Sequence, residues 1–356
     1  MLKTFDEVFD DYTKYGTKIK TEQYHTVGTN IIIDQGQADI AGYTDQIDGL
    51  FKDVPVIVFG DHTRIIKYIN RPFFLGADGT KILKSKIPDA NYKYLYYALK
   101  NAKIPNTGYN RHFKWLKQIS ISYPELQKQS MIVEILDKLE DSIDNYNTIL
   151  GLLDKLVKAR FIEMFGDPYT NPLKWEKLKI KDAVTVEPQN GLYKPQSDYV
   201  TDRSGIPILR IDGFYDGIVT DFASLKRLKC SETEKQKYLL LEDDIVINRV
   251  NSIEYLGKCA HIKGLLEDTV YESNMMRMHF DPESYNPAYI CKLLCSQFIY
   301  DQIVNHAKKA VNQASINQKD VLDFNIYQPP VDLQNQFADF VQQVDKSKYD
   351  DMYIRY

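Results

Sequence analysis

Long apolar runs are missing: nothing in these 356 residues approaches the roughly 18 apolar residues of a membrane-spanning helix. The opening stretch MLKTFDEVFDDYTK scatters charge and has no apolar centre, so no secretory leader is expected and the chain is placed in the cytoplasm. Cysteine is scarce. Cys230, Cys259, Cys291 and Cys295 all fall in the second half without a CxxC pair, which excludes the usual zinc-finger spacing. Cys291 and Cys295, one helical turn apart, read as core packing before metal ligation. A net charge of −4 excludes a chain coated in basic residues. Proline is absent from Glu125 to Met164, where Gly151 is the one glycine.

A long helix fills that gap. Ile132, Ile135, Leu139, Tyr146, Ile149, Leu153 and Leu156 keep an alternating three–four spacing, interrupted only at Ser142. Leu136, Ile143, Leu150, Val157 and Met164 form a second row, one residue every seven. One seam fits a coiled-coil stripe; two adjacent seams need two things to pack against. About 40 helical residues span about 60 Å, so the helix is expected to act as a spacer. FGDPYTNP (Phe165–Pro172) supplies the stop.

The start of this helix is spoken twice. YPELQKQSMIVEILDKLED (Tyr123–Asp141) and PPVDLQNQFADFVQQVDKS (Pro329–Ser347) share a proline turn, Leu-Gln-x-Gln and an apolar-periodic run. Leu126, Gln127 and Gln129 precede Leu333, Gln334 and Gln336 by 207 positions. Solenoid repeats run about 20–50 residues, so this period points to a duplicated domain. What precedes each helix is also alike. VPVIVFG (Val54–Gly60) and DDIVINR (Asp243–Arg249) read as buried strands, and YKYLYYALKN (Tyr92–Asn101) and PAYICKLLCSQFIYDQIVNHA (Pro287–Ala307) as helices. The reading is an α+β chain with an internal pseudo-twofold repeat. Residues 1–123 and 166–330 form two similar mixed α/β domains, 124–165 a coiled-coil-like spacer, and 331–356 a shorter terminal helix.

Charge is unevenly spread. Gly60–Lys117 holds twelve Lys or Arg against three Asp, while Asp34–Asp53 just before it is acidic. A local basic patch counts for more than net charge in binding a polyanion.

Taken together, the two Leu-Gln-x-Gln helix starts, LVKARFIEMFGDPYTNPLKWEKLKI (Leu156–Ile180), GIPILRIDGF (Gly205–Phe214), YESNMMRM (Tyr271–Met278) and NQASINQKDV (Asn312–Val321) resemble the DNA-specificity subunit of type I restriction–modification systems. The likeness covers nearly the whole chain and rests on order and duplication, not on one decisive phrase. It implies two target-recognition domains, each reading half of a split sequence in double-stranded DNA. The helices would hold the halves apart and dock two methyltransferase subunits, to which motor–nuclease subunits attach. The chain itself would be non-catalytic and hold no cofactor; S-adenosylmethionine, ATP and magnesium would belong to the partners. Ile132, Ile135, Leu136, Leu139, Ile143, Tyr146, Leu150, Leu153 and Val157 would be its spacer and docking residues.

Reading DNA needs cations for phosphates and amides, Arg or Ser/Thr for base edges. The foremost stretch in the first domain is FGDHTRIIKYINRPF (Phe59–Phe73), a Gly-Asp turn after a strand that carries His62, Thr63, Arg64, Lys67 and Arg71. The plainer reading is a solvated loop capped by Asp61. Lys81, Lys84 and Lys86 suit phosphate and Arg111, His112 and Lys114 suit phosphate or a groove, whereas Phe113 and Trp115 suit the core. In the second domain, QNGLYKPQSDY (Gln189–Tyr199) brings Lys194, and GIPILRIDGF brings Arg210. NRVNSIEYLGKCA (Asn248–Ala260) brings Arg249, Asn251, Ser252, Tyr255 and Lys258. The amides Asn312, Gln313 and Asn317 could address adenine edges or tie their loop to its own backbone.

Other classes fit less well. TNPLKW (Thr170–Trp175) is similar to the Asn-Pro-Pro-aromatic motif of adenine methyltransferases, but has Leu for the second Pro and no preceding Gly-rich loop. No Asp…Glu-x-Lys set stands in a nuclease context, and His62 beside Asp61 lacks a nucleophile. The remaining alternative is a free-standing DNA-binding or scaffold protein. An isolated protein is not expected to leave a second long apolar stripe exposed.

Overall fold

The computed structural model describes residues 1–353 except 77, 109 and 312, with side chains to Lys348. The chain forms two compact units, Met1–Asn147 and Thr148–Tyr356. Their boundary falls inside the long helix.

In the first unit, β1 (Leu2–Thr4) and β2 (Phe9–Asp11) are followed by β3 (Val56–Gly60), β4 (Ile66–Ile69) and β5 (Thr80–Ser85). An antiparallel sheet runs β2–β5–β3–β4. All five residues of β3 are buried, which is why it reads as an apolar run without alternation. Helix α1 (Tyr92–Lys100) starts at Asn91, whose Oδ1 accepts the Tyr94 N–H at 3.0 Å. Strand β6 (Ser120–Ser122) then pairs with β1, so the segment between them closes on itself. Helix α2 (Leu126–Phe165) follows. Ile132 and Val133 of α2 lie against a core of Phe5, Phe9, Phe59, Leu95 and Leu116.

Polar groups fasten α1 to α2. Tyr97 donates to Asp137 at 2.6 Å and Glu140 at 2.9 Å, while Lys93 and Lys100 pair with the same two carboxylates. Burial and the two acceptors push the Tyr97 phenol up, so it remains a donor.

The second unit repeats this plan with additions. Its elements are β7 (Glu176–Lys179), β8 (Val184–Asn190), β9 (Ile245–Asn248), β10 (Val250–Asn251), β11 (Cys259–His261) and β12 (Met275–Phe280). Then come α3 (Pro287–Leu294), α4 (Gln297–His306), β13 (Lys308–Lys309), β14 (Ala314–Ser315), α5 (Gln318–Leu322), β15 (Asn325–Gln328) and α6 (Val331–Tyr353). The order β8–β12–β9–β11 matches β2–β5–β3–β4, antiparallel throughout. Pairing of β7 with β15 matches that of β1 with β6. Each unit also carries parallel pairing, Ile31–Ile33 with Phe73–Leu75 in the first and Ile208–Leu209 with Val270–Tyr271 in the second, which adds Gly217–Ile218 beside Ala260–His261.

Two expectations change. The stretch Pro287–Ala307 is two helices, because Ser296 takes an extended conformation and its Oγ caps α4 through the Ile299 N–H. Both halves are amphipathic, so their apolar period reads straight through the break. The register of the repeat also shifts. Gln129, not Gln127, corresponds to Gln334: each is buried, and each donates through Nε2 to the carbonyl five residues earlier, Pro124 or Pro329, at 2.8 Å. The true offset is thus 205 residues, not 207, because a buried amide aligns the helix starts and the Leu-Gln-x-Gln spelling does not.

The two glutamines differ in how fully they are used. Gln334 also accepts the Asn286 N–H at 2.8 Å and donates to Ser284 O at 3.0 Å. The Gln129 Oε1 is buried with no partner among the described residues. Gln334→Ala is therefore expected to cost about 1–3 kcal/mol of stability and Gln129→Ala clearly less. Urea melts can follow each unit separately through Trp115 and Trp175. Equal losses, or the reverse order, would refute this account.

Candidate functional site

In the first unit the turn after β3 is built by long-range contacts. Asp61 is buried: its Oδ1 accepts the Phe113 N–H at 2.7 Å and its carbonyl accepts the His112 N–H at 2.8 Å. The His112 ring is fully buried. Its Nδ1 lies 3.0 Å from the same Asp61 carbonyl, which can only accept, so Nδ1 carries the proton. Its Nε2 then accepts from the Thr107 N–H at 3.4 Å. From the other side, Gln35 accepts the His62 N–H, and Thr63 donates to the Gln35 carbonyl. Thr63, Arg111 and Lys114 are thereby gathered on one exposed edge, with His62 and Arg64 half-buried beside them. Arg64 has φ +64° and donates from a guanidinium nitrogen to Ile104 O at 3.3 Å.

Several cations named from the sequence are withdrawn from this edge. His112 is a buried staple, not a groove contact. The Lys67 side chain is 5% exposed; it donates to Ala38 O at 2.5 Å and sits 3.7 Å from Asp34. Burial pulls the pKa of its amine down. Arg71 is exposed, but β3–β4 pairing sets it at the end of the sheet away from Gly60. Lys81, Lys84 and Lys86 pair with Asp11, Asp53 and Asp10. The basic stretch is thus largely answered by acids from elsewhere in the unit. No ion pair among the described residues ties Arg111, Lys114 or Lys117.

The second unit brings two separated motifs together. Strand β10 pairs with β14, which pairs with β13, so Arg249–Ser252 lies beside the 313–317 loop. Arg249 donates through its N–H to Asn274 O at 2.8 Å and through its guanidinium to Ser273 O at 3.2 Å. Its Nε is buried without an acceptor among the described residues. Tyr255 is exposed. Lys258 sits 3.5 Å from the Tyr215 ring centroid and donates to Ile211 O at 3.2 Å, and burial pulls its amine pKa down.

Other named residues are already engaged. Asn317 caps α5 by accepting the Lys319 and Asp320 N–H groups, so of its two readings the local one describes its side chain. The Asn251 side chain accepts the Ser252 N–H at 2.8 Å. Lys194 pairs with Glu234 at 2.9 Å, and Arg210 with Glu272 at 3.4 Å and Tyr199 at 3.0 Å. Gln313 is exposed, and Asn312 lies outside the described residues. Sequence reasoning missed Lys308 and Lys309, both exposed on β13 at this small sheet. Their adjacent pair in HAKKAVNQ was the available signal.

The apolar stripes of α2 divide. Val157 is buried, and Ile132, Leu136, Tyr146, Leu150 and Leu153 are half-buried. Ile135, Leu139 and Ile143 stay 58%, 54% and 54% exposed. Towards the C-terminal end of α2, Phe161 and Phe165 pack on Phe337 of α6, Arg160 stacks over Phe340, and Lys348 pairs with Asp154 at 2.6 Å. Among the described residues, no group of three or more His, Cys, Asp or Glu is arranged to hold a metal, and no helix is long and apolar enough to cross a membrane.

Two copies of one sheet-and-helix plan, each delivering an arginine-bearing loop from the end of its central strand, define a duplicated binding protein. A family model of the type I restriction modification DNA specificity domain matches residues 2–154 and 172–350, and the chain belongs to that family. It is 27% identical over 240 residues to the specificity subunit of the type I restriction enzyme EcoKI of Escherichia coli, covering 64% of this chain and 50% of that one. A Methanocaldococcus jannaschii chain assigned as the MjaX specificity subunit is 32% identical over 179 residues, or 49% of this chain and 40% of its own. The chain thus spans half or less of the length of these relatives. The type I restriction–modification S subunit from M. genitalium shares the fold, with a TM-score of 0.59 at 16% identity over 98% of this chain and 90% of that one.

Proposed function

We propose that the chain is the non-catalytic DNA-specificity subunit of a type I restriction–modification complex, each unit reading one half of a bipartite target. The observation that carries this is the repeated delivery of an arginine by the central sheet. Arg64 and Arg249 follow β3 and β9, matching strands, and each ties one guanidinium nitrogen to a neighbouring carbonyl while other donors remain. The exposed isoleucines and leucine on α2 support docking of methyltransferase subunits, through which motor–nuclease subunits would join. S-adenosylmethionine, ATP and magnesium would be the partners' cofactors.

Mapping methylated adenines in cells that carry the chain with its partner subunits tests the reading: a split motif is expected, and a continuous one would overturn it. Within that motif, Arg64→Ala and Arg249→Ala should each relax one half-site, losing about 1–3 kcal/mol of discrimination, or about 5- to 150-fold. Equal weakening on every sequence, with a smaller salt slope, would mark both as phosphate anchors instead.

A further inference from the structure

Three of the four cysteines converge in the second unit, Cys259 from far along the chain and Cys291 and Cys295 from one helical turn. Cys259 lies on β11, Cys291 on α3, and Cys295 just past the end of α3. The Sγ atoms of Cys259 and Cys295 stand 3.5 Å apart across 36 residues of chain. Cys291 is within thiol hydrogen-bonding reach of both and also lies 3.6 Å from Gly217 O. Cys259 and Cys291 are buried, whereas Cys295 is exposed. Cys295 also lines a cleft of about 440 Å³ with Lys292, Phe161 and Phe298, so a small reagent can approach it.

We propose that Cys295 and Cys259 form a dithiol site that a hydroperoxide oxidises to an intrachain disulfide. The Cys295 thiolate attacks one peroxide oxygen, the O–O bond breaks, and a sulfenic acid forms as hydroxide leaves and takes up a proton. Cys259 then attacks that sulfur, making the S–S bond, and its proton leaves with the displaced hydroxide as water. Two thiols lose two electrons, and hydrogen peroxide becomes two waters. The division of labour follows the surroundings. Thiol hydrogen bonds from Cys259 and Cys291, then the Lys292 charge, hold Cys295 below the ordinary thiol range. Cys259, enclosed and hydrogen-bonded to Cys291, is pushed up, which suits the resolving partner. Cys230 supplies an internal control: it is half-buried and outside this cluster, and burial pushes its thiol up.

The consequence would be local. Cys259 directly follows the Arg249–Lys258 loop, so the bond would pin the end of α3 to the strand that anchors that loop.

The test uses the full-length chain, freed of reductant, treated with hydrogen peroxide, alkylated and mapped by peptide mass spectrometry. A Cys259–Cys295 cross-linked peptide should accumulate about tenfold faster than Cys230 is modified, given the larger thiolate fraction, and dithiothreitol should reverse it. Cys295→Ser should abolish the cross-link, Cys291→Ala should keep it, and Cys259→Ser should leave a dimedone-reactive sulfenic acid at Cys295. The wild-type map stands even where a variant fails to fold. A Cys259–Cys291 bond, Cys230 reacting as fast, or a stoichiometric metal shielding these thiols in freshly purified protein would overturn the proposal.

Discussion

Phe337→Ala is expected to destabilise the second unit by about 3–5 kcal/mol, the range for truncating a buried aromatic. Phe337 is fully buried on α6 and meets Phe161 and Phe165 of α2 edge-on, at 5.5 and 5.4 Å. Phe161 in turn stacks on Tyr289 of α3 at 5.7 Å. Phe337 and Phe161 together therefore join three helices, and loss of the Phe337 ring leaves a cavity between them. Urea denaturation followed at Trp175 measures the effect. Phe337→Leu should keep most of the stability, because it restores most of the volume. A loss under about 1 kcal/mol for the alanine variant would mean that α6 is not part of this core.

Removing the Asp244 carboxylate should be comparably severe. Asp244 is fully buried just before β9, where it accepts the Leu241 N–H at 2.8 Å, pairs with Arg277 at 3.2 Å and meets His279 at 3.1 Å. The Arg277 side chain is only 12% exposed, and its Nε already lacks a partner among the described residues. Asp244→Ala would leave a nearly buried guanidinium uncompensated, which costs about 3–5 kcal/mol. Asp244→Asn keeps an acceptor for Leu241 and Arg277 and should lose less. If alanine and asparagine variants melt alike, and near wild type, Arg277 finds water and the buried-charge argument fails. Because β9 delivers Arg249, the same variants test whether loop placement depends on the strand beneath it.

How much of this was legible beforehand depended on sequence distance. The long helix, the buried strands β3 and β9 and the duplication are local patterns, and all were read. The split of α3 from α4 was hidden because a single serine cap does not disturb an apolar period. The candidate residues were harder, since their fate is decided by chain far away. His112 reads as a polar side chain in a basic run, yet Asp61, 51 residues earlier, claims its ring. Lys67 is answered by Asp34 and Ala38, and Lys81 by Asp11 across 70 residues. Conversely, the pairing of β10 with β14 that places Arg249 beside the 313–317 loop leaves no mark in either motif. Residue type announced the chemistry available; the sheets determined which of it reaches the surface.

The self-neutralised lysines carry one more consequence. A cation that docks on a phosphate strengthens binding at low ionic strength by displacing condensed counterions, one for nearly every phosphate covered. In the first unit, Lys81, Lys84, Lys86, Lys93 and Lys100 already hold carboxylates of their own chain. Covering DNA with that surface would exchange one ion pair for another and release few ions. On the proposed reading, the dependence of affinity on salt should be shallower than a tally of twelve basic residues implies. It would be set by the few arginines and lysines, Arg111 and Lys114 among them, that the fold leaves unanswered.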